Sequence, residues 1–140
     1  MQVSVASNAK QIERATKKRG KELSASVKKA LSITAQTGIN IIEDRTKDSV
    51  GYKGGIFKPY TEKYSAFRTQ KGRSTTPDLE FTGEMLGSMT SRANKRQAEI
   101  FFTRAAEAKK AAMNNKSRPF FGFNDKEHKR LGQVFFRALK

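Results

Sequence analysis

The residue types that carry most enzyme and metal chemistry are scarce in this chain. It has no cysteine and one histidine, His128, set beside Lys126, Lys129 and Arg130. A zinc site needs several Cys, His or carboxylate ligands, and a nucleophilic triad needs a histidine held between an acid and a nucleophile. One imidazole among bases supplies neither, so His128 reads as a solvated residue on a helix. Glu84 and Glu99 form a carboxylate pair only on paper, because nothing in their spacing brings them together. The glycine-rich residues 48–55, DSVGYKGG, lack the GxxxxGK[ST] spacing and a preceding apolar strand. They read as a loop, not a phosphate cradle. The expectation is a protein that is not an enzyme and that holds no metal and no cofactor.

What remains is recognition chemistry. The formal net charge is +16 over 140 residues. It is spread along the chain, since residues 1–48, 49–78, 100–118 and 119–140 are each basic and only residues 79–99 balance. Such a field favours acidic partners, whether nucleic acid or acidic protein, and makes packing of identical subunits costly unless acids or salt offset it. Two stretches concentrate the bases. Lys10, Arg14, Lys17, Lys18, Arg19 and Lys21 are opposed only by Glu13. They read as a face for DNA or an acidic partner, or as a solvated helix face. Residues 57–73, FKPYTEKYSAFRTQKGR, interleave Tyr60, Tyr64 and Phe67 with Lys63, Arg68, Lys71 and Arg73. Nucleobases stack on aromatics beside such bases. The helical spacing of the aromatics favours the plainer reading, in which they face the core and the bases face outward.

The elements that must position these residues follow from periodicity. From residue 10 to residue 45, Ile12, Leu23, Val27, Leu31, Thr34, Gly38, Ile41 and Ile42 recur at three- and four-residue steps, which predicts a long helix. Residues 1–8 show no period, so residues 1–20 are expected to be a basic arm or helix start, with Gly20 as a break. Gly38 is expected to admit a neighbouring helix. Residues 21–140 are expected to form one domain. Thr61 is a plausible N-cap for a short helix carrying Tyr64 and Phe67. Thr82 is the expected N-cap of another, with Met85, Leu86 and Met89 facing inward and an end near Ser91. Residues 98–103, AEIFFT, are the best strand, with Ile100 and Phe102 on one face and Phe101 on the other. Residues 104–115 read as a helix stopped by Asn114 and Asn115. Arg118 before Pro119 is extended. Asn124 or Asp125 is the expected cap of a final helix, with Glu127 three residues after Asn124 in the manner of a capping box, and its stripe is Leu131, Val134, Phe135, Ala138 and Leu139. No run of 18 apolar residues is present, so no membrane span is expected. The fold class is α+β: a long N-terminal helix, a small antiparallel sheet with short helices packed on it, and an amphipathic C-terminal helix.

In this order, the pieces resemble a family of tailed-bacteriophage virion-morphogenesis proteins, the small tail-completion and head–tail joining proteins that include those like minor tail protein Z. The likeness rests on the long helix, the aromatic segment ending in a basic loop, residues 77–88 (PDLEFTGEMLGS, close to the family's PxLxxTGxLxxS), and residues 118–123 (RPFFGF) before an acidic-capped helix. Thr82, Gly83, Met85, Leu86, Arg118, Pro119, Phe120 and Gly122 carry these phrases. Residues 104–113 lack the His and Gly that the family often has there. The resemblance implies a structural protein of the virion neck or tail, present in the host cytoplasm during assembly. It implies a homo-oligomeric ring on the order of six or twelve copies. Implied partners are neck or connector proteins and tail terminator or tail tube proteins, with packaged DNA in the channel as a further contact and no membrane. Leu23, Val27, Leu31, Tyr52, Phe57 and Tyr60 are the expected subunit or partner contacts. Residues 1–20 and 49–58 are expected to order on assembly.

Overall fold

The three- and four-residue apolar steps form one helix, α1 (Gln2–Lys47). The computed structural model describes residues 2–80 and 82–139, with side chains from Lys10 onward, so Phe81 of the central phrase lies outside the described residues. The expected break at Gly20 does not form. One glycine costs about 1 kcal/mol, too little to interrupt a helix propagating from both sides. Residues 2–20 are therefore helical and continuous with the rest. At a rise of about 1.5 Å per residue, α1 is about 69 Å long. Every described side chain from Lys10 to Leu23 is exposed, half-burial begins at Ser24, and Ala30, Ala35, Ile39, Ile41 and Ile42 are buried.

The loop at residues 48–56 closes on itself. Gly51 N–H donates to the Gly55 carbonyl, Phe57 N–H to Ser49, and Val50 bridges Ile56. These hydrogen bonds all lie within the chain. Phe57 anchors it in the core at 3% exposure. In α2 (Glu62–Gln70), the Thr61 hydroxyl accepts the Tyr64 N–H at 3.2 Å, the predicted cap.

The short helix α3 (Glu84–Gly87) departs from expectation twice. Its N-cap is Gly83, at φ 82°, a conformation that favours glycine. Thr82 stands one residue earlier, its hydroxyl accepting the Glu84 N–H. The helix stops at Gly87, and Met89 opens an unpredicted strand, β1 (Met89–Ala93). A single helical turn has little stability of its own. The ladder with β2 (Ala98–Phe102) prevails, pairing Met89 with Phe102 through Ala93 with Ala98, antiparallel. Asn94 closes the hairpin by accepting the Arg96 and Gln97 N–H groups on its side-chain oxygen.

Helix α4 (Ala105–Ser117) runs past the expected stop. Asn115 reaches forward instead, its side-chain oxygen accepting the N–H groups of Phe120 and Phe121. Helix α5 (Asp125–Ala138) opens on the predicted box: Asn124 accepts the Glu127 N–H at 2.8 Å, and Glu127 accepts the Asn124 N–H at 3.0 Å. Asn124→Ala should cost about 1 kcal/mol in urea unfolding, whereas Asn124→Asp should retain most of the stability. A neutral Ala variant would show that packing alone fixes the start of α5.

Helices α1 and α5 pack antiparallel. Arg45 meets Glu127 at 3.5 Å near one end, and Leu131 shares a groove with Leu31 and Thr34 further along. The α5 stripe is half-buried against α1 and contains no fully buried residue. The core joins Ile39 and Ile42 of α1 to Phe57, Leu79, Met85, Leu86, Met89, Ala111 and Phe120, with Ile100, Phe102, Phe121 and Phe123 packed against it. Gly38 admits the Phe123 ring and Ile100, not a neighbouring helix. The architecture is α+β, with one two-stranded antiparallel sheet, short helices and helices at both ends.

Candidate functional site

The two phrases at residues 79–88 and 118–125 converge on one core, where Met85 and Leu86 meet Phe120. Arg45 fixes the second phrase by donating through Nη2 to the carbonyls of Phe120 (3.2 Å) and Gly122 (2.6 Å). Burial lowers the Arg45 pKa, and the Glu127 carboxylate opposes that shift. Tyr52 lies flat against Gly122, where any Cβ would sit 2.8 Å from its ring, so only glycine fits. Pro119 accepts the Tyr52 N–H, and Arg118 donates to the carbonyls of Lys58 and Pro59. Thr82, Gly83, Arg118, Pro119 and Gly122 are thus positioning residues between segments.

Arg68 is a correction. Expected to face DNA or an acidic partner, it is 1% exposed. Its Nε donates to the Ser74 carbonyl at 2.6 Å, and its Nη2 donates to Asp78 at 3.1 Å and to the Glu80 carbonyl at 3.2 Å. The guanidinium lies 5.0 Å from the Tyr60 ring centroid. It holds the loop that delivers Leu79, which is buried at φ 57°, an uncommon conformation for a non-glycine residue. The Tyr60 hydroxyl accepts the Leu79 N–H from the other side. Burial raises the Tyr60 pKa, and that hydrogen bond opposes the shift. Tyr64 and Arg68 share one face of α2 at a four-residue step, and Tyr60 stands just before its N-cap.

Phe57 is the second correction, because a side chain in the core cannot be a subunit contact. The reading of the aromatics changes as well. Tyr60 is half-buried, but Tyr64 and Phe67 are exposed, stacked with centroids 6.1 Å apart. With Met85, Glu107, Lys110, Asn114 and Arg118 they line an open cleft of about 450 Å³. Glu107, which sequence reasoning passed over, is buried there. One oxygen meets Lys110 at 3.1 Å and the other is buried without a hydrogen-bond partner. Apolar periodicity gave no sign of it, since an acid in an Ala- and Lys-rich helix reads as surface.

The remaining candidates divide by surface. Lys10, Arg14, Lys17, Lys18, Arg19, Lys21 and Leu23 are exposed on the first half of α1, while Val27 and Leu31 are half-buried toward α5. Lys63, Lys71 and Arg73 are exposed around α2. The two basic stretches therefore sit on different elements. Glu84 pairs with Arg104 and Glu99 with Arg92, so they form no carboxylate pair. His128 is exposed, edge-on to Phe123. Among the described residues no three His, Cys, Asp or Glu side chains gather where a metal would sit, and no helix is long and apolar enough to cross a membrane. The arrangement offers surfaces for recognition: a bare basic helix and a basic, aromatic-walled cleft. Comparison of the chain with protein-family models, curated proteins and solved structures finds no match in any of the three.

Proposed function

We propose that the chain is a structural subunit of a tailed-bacteriophage virion, forming a ring at the head–tail junction or upper tail that tail completion or head–tail joining requires. The ring holds on the order of six or twelve copies, and the reading assigns it no catalytic step. The observation that carries it is the exposed stretch of α1 from Lys10 to Leu23. A helix of 46 residues leaves Ile12 and Leu23 at 66% and 60% exposure, with no contact to its own core. Burying two such side chains against a neighbour contributes about 3–6 kcal/mol before entropy is counted. The motif phrases at residues 77–88 and 118–123 supply the phage context, as a resemblance. Light scattering tests the reading with the double variant Ile12→Asp/Leu23→Asp. The expected result is a fall from a multimer to monomer with an unchanged far-ultraviolet circular dichroism spectrum, since neither side chain touches the core. An unchanged multimer would remove α1 from the interface.

A second reading, a nucleic-acid-binding protein, is favoured by the exposure of Lys10, Arg14, Lys17, Lys18, Arg19 and Lys21 and of Lys63, Lys71 and Arg73. On this reading, affinity for duplex DNA should fall steeply between about 50 and 200 mM salt. Retention that ignores salt would rule it out.

A further inference from the structure

We infer that the cleft lined by α2 and α4 binds a nucleotide whose base carries an amino group, either free or unpaired within a single strand. Glu107, Lys110 and Asn114 recur at three- and four-residue steps, so they share one face of α4, and Tyr64 and Phe67 share one face of α2. Both faces line the same open cleft of about 450 Å³. The Tyr64 and Phe67 rings are inclined by only 26° to each other and stay 36% and 42% exposed. They offer a flat aromatic wall on which a nucleobase can stack.

Glu107 specifies which base. The residue is 3% exposed. Lys110 at 3.1 Å and Arg104 at 3.9 Å both approach Oε1, whereas Oε2 is buried with no hydrogen-bond partner. A carboxylate oxygen out of water is costly until a donor reaches it. The last torsion of a glutamate side chain is soft and two-fold, so one oxygen can keep Lys110 while the other turns to a donor in the cleft. The amino group of cytosine is such a donor, whereas thymine presents a carbonyl oxygen at that position and is repelled. Charge supplies the third element. Arg68, Lys110 and Arg118 outnumber Glu107 among the lining residues. The guanidinium groups of Arg68 and Arg118 lie 5.0 and 4.7 Å from the Tyr60 ring centroid. A cationic side chain of a partner would meet like charge there, whereas a phosphate is attracted. In a duplex the base is stacked and its amino group is paired, so only an unpaired base can enter. The inference does not depend on the ring reading.

The probes are labelled single strands of about ten nucleotides, oligo-dC and oligo-dT, titrated against the full chain by anisotropy at about 200 mM salt to weaken contacts with the basic helix. Oligo-dC should bind about tenfold tighter than oligo-dT. Glu107→Gln presents both a donor and an acceptor, so it should erase that preference while both strands still bind. Phe67→Ala, a change at an exposed side chain, should weaken oligo-dC about tenfold, with an unchanged circular dichroism spectrum. Unlabelled dCMP separates the two sources. Displacement of oligo-dC by dCMP and not by dTMP makes the free nucleotide a ligand; a preference for oligo-dC that dCMP leaves undisturbed assigns the site to the strand. Equal binding of oligo-dC and oligo-dT, a preference that survives Glu107→Gln, or an oligo-dC affinity unmoved by Phe67→Ala would each overturn the inference. If Glu107→Gln fails to fold, the comparison of the two strands and Phe67→Ala still decide it. Equal, salt-sensitive binding of both strands and of duplex DNA rejects the cleft and leaves the second functional reading standing. A chain that stays monomeric and still prefers oligo-dC rejects the ring and leaves the cleft.

Discussion

Arg68→Ala should lower the unfolding free energy by about 3–5 kcal/mol, the range for removing one partner of a buried charge pair. The side chain is almost wholly buried and donates hydrogen bonds to Ser74, Asp78 and Glu80. Its loss leaves two loop carbonyls without their donor and Asp78 without its counter-ion. It also releases the backbone that holds Leu79 at positive φ in the core. Arg68→Lys keeps the charge but lacks the planar fork, so it should recover less than half of the loss. Urea unfolding of the three proteins decides the matter. A loss below about 1 kcal/mol for Arg68→Ala would mean that the loop at residues 72–80 holds itself.

Phe120→Ala should cost a similar amount, about 3–5 kcal/mol, by removing a large side chain from a site that cannot collapse. Phe120 is fully buried, packs 6.1 Å from the Phe121 centroid, and joins the core that takes side chains from α1, α3, α4 and β1. Its backbone is pinned by Asn115 and Arg45, so the chain cannot shift to fill the void. The contrast is Phe136, an aromatic on α5 that is 71% exposed. Phe136→Ala should change chain stability by less than about 0.5 kcal/mol. Equal effects of the two changes would contradict the placement of the core.

These two residues also show what the sequence made legible. Apolar periodicity predicted α1, β2 and α5, because their patterns extend over enough residues to outvote single exceptions. Capping chemistry predicted Thr61 and Asn124, because a cap is a local exchange of hydrogen bonds. Phe120 was read as part of a structural phrase, and its side chain is buried in the core. β1 was missed because Met89 fits a helical stripe as well as a strand; only the Phe102 ladder, remote in sequence, decides between them. Arg68 was misassigned because a basic residue among bases reads as surface. Its acceptors are two carbonyls and Asp78, and carbonyls leave no trace in residue types. Gly20 was read as a break, but α1 runs through it, because one glycine costs too little to stop a helix. Lys10 to Leu23 lie on the predicted helix, and their side chains are exposed.

The central claim is the proposal that this chain assembles through the exposed residues 10–23 of α1. Negative-stain imaging of the purified full-length protein, at salt concentrations that screen its charge, tests it most directly. The account predicts closed rings of uniform diameter that disappear in Ile12→Asp/Leu23→Asp. A population of single subunits at every protein and salt concentration, unchanged by that variant, would contradict it.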